Sequence, residues 1–453
     1  MKQSWLNSVF PIAALFSFRM LGLFMLIPVF TVYANQLTSA TPALIGVALG
    51  SYGLSQGLLQ IPFGILSDRF GRKPIITLGL ILFTCGSLLG AFSTSIYGMI
   101  IARTLQGTGA IGSVLIALLA DLTPDEQRTK AMAVIGITIG LSFSLAMVLS
   151  PAITHQFGLA GIFYLTTFLA ALGLVLLHAV IPTPKKELFH LDSKTNPALF
   201  KQVLCNRHLQ RLNLGIFCQH FILTSTFFGI PIILQQQIKL GYLSQQWHFY
   251  LPLMLLSFFL MVPFLTFAEK KRQIKAVFLG SVALTCLCQF ILAFTFQYWF
   301  AICGLLFAYF VAFNFLEASL PSLISRQANA DSKGTAMGIY SSCQFLAIFA
   351  GGASAGVIYQ FTGNQGIFIA NGIISLLWLA FSFYMKPNVY QLTLMLHYDN
   401  TLKDESDLAK RLALLPGVKN VVIAHDEGTV YLRIDKAQYQ DGSADRLIET
   451  CSQ

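Results

Sequence analysis

The sequence predicts an all-α membrane protein: twelve transmembrane helices in two halves of six, followed by a small α+β domain. Three observations predict it. Of 453 residues, 55% are hydrophobic and only 11% charged, with a mean hydropathy of +0.68; a soluble chain would carry about a quarter charged residues. Twelve apolar runs approach or exceed the roughly 20 residues that cross a bilayer. The composition also turns polar twice, at 183–208 and again after Lys386-Pro387. The expected organisation is therefore a six-helix half (1–182), a cytoplasmic linker (183–208), a second six-helix half (209–385) and a cytoplasmic domain (386–453).

The first six runs lie at roughly 9–33, 43–66, 74–93, 97–120, 131–153 and 160–182. The other six lie at roughly 209–236, 247–268, 275–294, 298–320, 334–360 and 365–385. The first is too long for the apolar core of a signal peptide and lacks a clean small-residue cleavage site, so it reads as an uncleaved span. Basic residues fix the orientation. The loops after even-numbered spans hold Arg69, Arg72, Lys73, Arg128, Lys130, Lys185, Lys186, Lys194, Lys270, Lys271, Arg272, Arg326 and Lys333, whereas those after odd-numbered spans hold only Lys239. Positive charge stays on the cytoplasmic side, so both termini are expected there. The same rule accounts for the net charge of +10 without invoking nucleic acid. The eight cysteines form no CxxC pair, so neither a disulfide framework nor a zinc site is indicated.

A short echo links the halves. "RTKAMAVIGITIG" opens span 5 and "SKGTAMGIYSS" opens span 11. These positions are equivalent if the halves are repeats of six, an arrangement that places a carrier's substrate site between them.

Several motifs go beyond topology. "GILSDRFGRKPI" (64–75) follows span 2, "RTLQGTGA" (103–110) lies in span 4, and "DLTPDEQRTKAMA" (121–133) links spans 4 and 5. Gly64 allows two helices to approach closely, Gly71 permits a tight turn and Pro74 suits a first helical turn. Asp68, where span 2 leaves the membrane, favours the positive N-terminal end of another helix.

These stretches resemble motif A, motif B and the following link of the major facilitator superfamily. The opening "FSFRMLGLFMLIPV" (16–29) and the polar tail resemble, more narrowly, its YajR-type drug/proton exporters. The resemblance covers the whole chain. It implies a major facilitator fold and a gate in which Asp68 meets the start of span 11 near Gly334 and Thr335, holding the halves together in the outward-facing state. Arg72 would then pair with Asp121, with Arg128 and Glu317 as further members. It also implies a role for Arg103 in proton binding, beside Gln106.

Other polar residues inside spans are functional suspects, because charge there is costly. Arg19 lies about eleven residues into span 1, roughly 16 Å at the helical rise. His220, near the middle of span 7, changes charge near neutrality or simply packs; the sequence leaves both open. Tyr52, Gln56 and Gln60 share one face of span 2, and Tyr340 and Gln344 repeat that spacing in span 11. With Asn314 they either line a substrate cavity or bond neighbouring helices. No Asp or Glu is placed deep in a span: Asp68, Asp121, Glu269 and Glu317 all read as near the cytoplasmic face. Proton coupling then falls to His220 or to one of these shallow acids with a shifted pKa. The Gly-Pro expected of antiporter motif C is absent from "GITIGLSFSLAMVLSP" (136–151).

The tail reads as strand, helix, hairpin and helix: "VYQLTLMLHYD", "DESDLAKRLALLPGV" with Asp404 as N-cap, "KNVVIAHDEGTVYLRID" and "SADRLIETCSQ". The order resembles a ferredoxin-like fold, and "LPGVKNVVI" resembles heavy-metal-associated domains. The metal-binding CxxC of those domains has no counterpart in "HYDNTLKDES", so no metal is expected.

The functional expectation is a secondary active transporter working by alternating access, a proton-coupled exporter of small hydrophobic compounds across a bacterial inner membrane. The alternatives are an organic-anion carrier and a non-transporting sensor signalling through the tail. No enzymatic constellation stands out. No cofactor is expected beyond the proton gradient; the expected partners are lipids, a small-molecule substrate and protons, with self-association through the tail as an open option.

Overall fold

The computed structural model describes residues 6–123, 125–183, 199–328, 332–385, 391–397, 405–424, 429–435, 438–440 and 442–452. Most of the linker, residues 184–198, therefore lies outside the described residues, as do the side chain of Arg128, the Asp404 cap and the hairpin turn 425–428.

Among the described residues nine helices are long and apolar enough to cross a membrane. Two of them are double. Asp125–Ala179 is interrupted at Gly158 (φ 64°) and Lys333–Phe383 at Gly363 (φ 64°), a left-handed backbone that glycine adopts without a side-chain clash. Dividing each there yields spans 5 (125–157) and 6 (159–179), and spans 11 (333–362) and 12 (364–383). Leu6–Phe24, continued through Phe30–Tyr33, supplies span 1, which gives the expected twelve. The others are span 2 (Pro42–Phe70), span 3 (Arg72–Phe92), span 4 (Ile96–Asp121), span 7 (Arg207–Lys239), span 8 (Gln246–Lys270), span 9 (Ile274–Thr295) and span 10 (Trp299–Gln327).

The two glycine kinks stand 205 residues apart, in "GLAGIF" (158–163) and "GNQGIF" (363–368). Ala131-Met132 and Ala336-Met337 of the echo stand at the same interval. The halves therefore match in sequence interval and in backbone geometry.

Local signals set the helix ends. Thr41 accepts a hydrogen bond from Leu44 N (3.3 Å) with Pro42 in the first turn, Ser95 accepts from Gly98 N (3.1 Å), and Asn206 accepts from His208 N (3.0 Å). Gly71 (φ 93°) makes the turn between spans 2 and 3.

Close packing between spans 2 and 11 runs from Pro42 to Gly57, the half of span 2 remote from Arg69. On span 2, a side chain at Gly46 would strike the Gly352 carbonyl, and one at Gly50 would lie 2.7 Å from Phe349 Cα. One at Gly356 of span 11 would strike the Pro42 carbonyl. Backbone touches backbone here, as small residues permit. A buried cluster at the same end unites Leu26, Phe30, Ile45 and Phe163 of the first half with Phe228, Ala355 and Ile367 of the second. This end is opposite the face that carries Arg69, Lys73, Lys270 and Arg326, hereafter the basic face.

The tail is α+β, as expected. Strands β1 (Gln391–His397), β2 (Val418–Ala424) and β3 (Thr429–Asp435) form an antiparallel sheet of order β1-β3-β2. The helices Glu405–Ala413 and Ser443–Ser452 contribute Leu408, Leu412, Ala444 and Ile448 to its core.

Candidate functional site

Among the described residues, two buried networks built on ionisable side chains lie in the transmembrane body, one in each half. The network in the first half is organised by two arginines. Arg19 donates to Tyr52 Oη (3.3 Å) and to Gln56 Oε1, and Gln56 Nε2 in turn donates to Gln60 Oε1 (3.3 Å). The stripe on span 2 thus bonds span 1 and is fully buried in this state. Arg103 stacks on the ring of the same tyrosine, its guanidinium carbon 4.9 Å from the centroid. Arg103 Nη1 donates to Gln106 Oε1 (2.8 Å), and Gln106 Nε2 donates to Ser87 Oγ (2.8 Å). The helix break after Thr108 and the small Gly107 let span 4 press against Tyr52 and Ser55, which brings Arg103 onto the ring. Neither arginine pairs with a carboxylate among the described residues, and Arg19 Nε and Nη1 have no hydrogen-bond partner.

The second half holds the acid that the sequence reading did not place inside a span. Glu317 was expected near the cytoplasmic end of span 10 and beside motif A. The helix instead continues to Gln327, leaving Glu317 ten residues, roughly 15 Å, from its end. Its carboxylate accepts from Gln219 Nε2 (3.0 Å) and Gln344 Nε2 (3.4 Å), and His220 Nε2 lies 3.8 Å away. Gln344 Nε2 is also 2.8 Å from His220 Nε2. Spans 7, 10 and 11 therefore meet at one carboxylate–imidazole–amide cluster. The Glu317 side chain keeps 35% of its surface exposed, whereas His220 keeps 6%; the carboxylate is the accessible member. Asn314, one turn earlier, donates to Ser257 Oγ of span 8 (3.2 Å). Tyr340 is buried one turn before Gln344.

The networks approach each other. Tyr52 packs on Phe345 (ring centroids 6.5 Å), the neighbour of Gln344. Phe143 of span 5 packs on Phe313 of span 10 (6.1 Å), which lies 6.2 Å from the His220 ring.

Motif A forms a third group, on the basic face. Arg72 pairs with Asp68 and with Asp121 (Nε to Oδ2, 3.0 Å), and donates to Ser67 Oγ (2.7 Å). Among the described residues Asp68 makes no hydrogen bond to Gly334 or Thr335; its ion pair is with Arg72. Lys73 donates to the Ile181 carbonyl (2.5 Å) at the end of span 6. Gln219 and Ser67 were missed in the sequence. Each adjoins a residue that was singled out, but its partner lies on a distant stretch of chain or across a turn.

The Major Facilitator Superfamily model matches residues 12–352 and 275–393. The chain is 43% identical to the inner membrane transport protein YajR of Escherichia coli, over 94% of this chain and 93% of that protein. It is 24% identical to the quinolone resistance protein NorA of Staphylococcus aureus, over 78% and 90%. Among solved structures, the D-xylose–proton symporter superposes with a TM-score of 0.64 at 18% identity, covering 85% of this chain and 98% of that one.

Proposed function

Because the chain belongs to the major facilitator superfamily and is a transporter rather than an enzyme, we propose that it is a proton-coupled exporter of small hydrophobic compounds, working by alternating access in a bacterial inner membrane. The observation that carries this reading is the Glu317–His220–Gln344 cluster. An imidazole forms an ion pair with a carboxylate only when the ring is protonated and the acid is not, so one proton entering or leaving changes the charge where three spans of the second half meet. The partial exposure of Glu317 supports a substrate competing for the same carboxylate. The likeness to YajR supports an inner-membrane location, and the likeness to NorA supports a drug-like cargo.

The basic face is then the cytoplasmic one. The close glycine packing at the other end, together with an Asp68 that does not bond to the start of span 11, supports an inward-facing state. In the outward-facing state Asp68 would reach Gly334 and Thr335. Proteoliposomes with an imposed pH gradient test the proposal. A panel of lipophilic compounds should include members whose movement carries protons; a panel in which no compound moves and none alters proton flux would refute it.

A second reading, transport of organic anions, is favoured by the unpartnered nitrogens of Arg19. Arg19→Ala should then impair anionic ligands selectively, and equal loss of neutral and anionic ligands would exclude it.

A further inference from the structure

Remote from the central cluster, a cavity of about 720 Å³ opens between the first turns of span 7 and the last turn of span 12. That volume lies within the range of about 300–1,000 Å³ usual for small-ligand sites. The described residues lining it are ordered by polarity. Arg207, Gln210 and Arg211 sit at the rim on the basic face, and Leu214, Ala380 and Phe381 lie further in, with Tyr384 at the edge. From Arg207 to Leu214 the helix rises roughly 10 Å. That is enough to pass through a headgroup layer of about 5–7 Å into hydrocarbon.

The charges in this groove differ from others on the same face. Arg326 is paired with Glu269 (3.0 Å), and Arg72 with Asp68 and Asp121. No carboxylate lines the groove among the described residues. The C-terminal carbonyls of span 12 already have two cations, as a helix C-terminus favours: Lys275 Nζ donates to Phe383 O (3.0 Å), and Arg211 donates to Tyr384 O while lying over the Tyr384 ring. Arg207 is exposed and has no ion pair or hydrogen bond from its side chain among the described residues. It is positive charge beyond what the helix end uses, at the mouth of an apolar groove.

We infer that this groove binds an anionic phospholipid of the leaflet on the basic face. The guanidinium groups of Arg207 and Arg211 hold the phosphate, for which their planar fork is suited. The upper acyl chain lies on Leu214, Ala380 and Phe381. Basic pockets between spans at a membrane surface hold lipid headgroups in this way, whereas a lone surface arginine gains only about 1 kcal/mol from the anionic leaflet and retains no lipid in detergent.

The test uses the full chain in mild detergent, with phosphatidylglycerol and phosphatidylcholine supplied in equal amounts. Native mass spectrometry reports the bound lipid and thermal unfolding reports stabilisation. Wild type should retain phosphatidylglycerol preferentially and melt several degrees higher with it than with phosphatidylcholine. Arg207→Glu should weaken the phosphatidylglycerol preference by about tenfold or more, and Arg207→Lys should keep most of it. Arg207 is chosen because Arg211 also secures the end of span 12. Equal retention of the two lipids, or an unchanged preference in Arg207→Glu, would overturn the assignment. So would a photo-crosslinker at Gln210 that captures the chain's own linker or tail instead of lipid.

Discussion

The two halves share a fold, a helix count and a pair of kink glycines 205 residues apart, yet they bury opposite chemistry. At its centre the first half holds two arginines on one tyrosine and no acid, its buried Asp121 being paired with Arg72 on the basic face. The central network of the second half holds a carboxylate and a histidine and no arginine. The contrast extends to the packing between spans. Thr166 stands at the same interval from Asn371 as Gly158 from Gly363. Thr166 packs its methyl group into the space at Gly22 beside Phe83. Asn371 instead donates to Thr226 (3.1 Å) and Gln289 (3.2 Å) at the matching crossing. A repeated backbone thus fixes where helices cross, while the side chains decide what each half can do. One half presents fixed positive charge, because arginine stays protonated. The other presents charge that a proton can change.

The largest effect should come from neutralising the variable charge. Glu317→Gln should reduce proton-coupled transport by about a hundredfold or more, as loss of a residue that acts in every cycle does, while leaving the folded yield intact. Retained coupling would collapse the distinction between the halves. Arg103→Ala comes next. It removes a cation stacked on Tyr52 and leaves Gln106 Oε1 without its donor, at an expected cost of about 2–4 kcal/mol in unfolding measurements. Arg19→Met should behave differently. Two of its buried nitrogens lack partners against one of Arg103, so relief of a poorly satisfied charge should offset most of the lost bonds to Tyr52 and Gln56, for a net cost of about 1 kcal/mol. If Arg19→Met were as destabilising as Arg103→Ala, the two arginines would be equivalent structural elements and the anion reading would lose its basis.

Gly46→Val probes the packing that joins the halves. Its side chain would meet the Gly352 carbonyl, so the closed end should open. Cysteine pairs placed across spans 2 and 11 at that end should cross-link more slowly, by about threefold to tenfold, a shift of roughly 1 kcal/mol in the population. The smallest effect on transport is expected at Asn371. Asn371→Val removes two hydrogen bonds within a buried trio but preserves volume, and should cost about 1–3 kcal/mol without altering proton coupling.

Much of this was legible in the sequence because it depends on composition and spacing. The twelve apolar runs and the tail's strand–helix order match the described residues. Glu317 was misplaced for a definable reason. A hydropathy window marks the apolar stretch, and it closed span 10 near Leu320, but the helix continues through Pro-Ser-Leu-Ile-Ser-Arg to Gln327. Three residues from an expected end became ten from the real one. The partners of Arg19 and Arg103 were hidden for another reason. Which faces of spans 1, 2 and 4 turn toward one another depends on close approach at Gly107 and Gly112, and that geometry emerges only when the helices are packed. The repeated "GxxGIF" was readable and carried the kinks of both halves, a signal stronger than the Ala-Met echo.

The most direct test of the central claim needs no substrate. Spin labels at positions 69 and 270, both exposed on the basic face, report the separation of the halves there in a cysteine-depleted background. Between about pH 8 and pH 5.5, a window that brackets neutrality, the wild-type distance distribution should redistribute between two populations. In the double variant Glu317→Gln, His220→Gln it should stay the same at both pH values. A double variant that still redistributes as wild type does would contradict the account and place the proton-sensing group elsewhere.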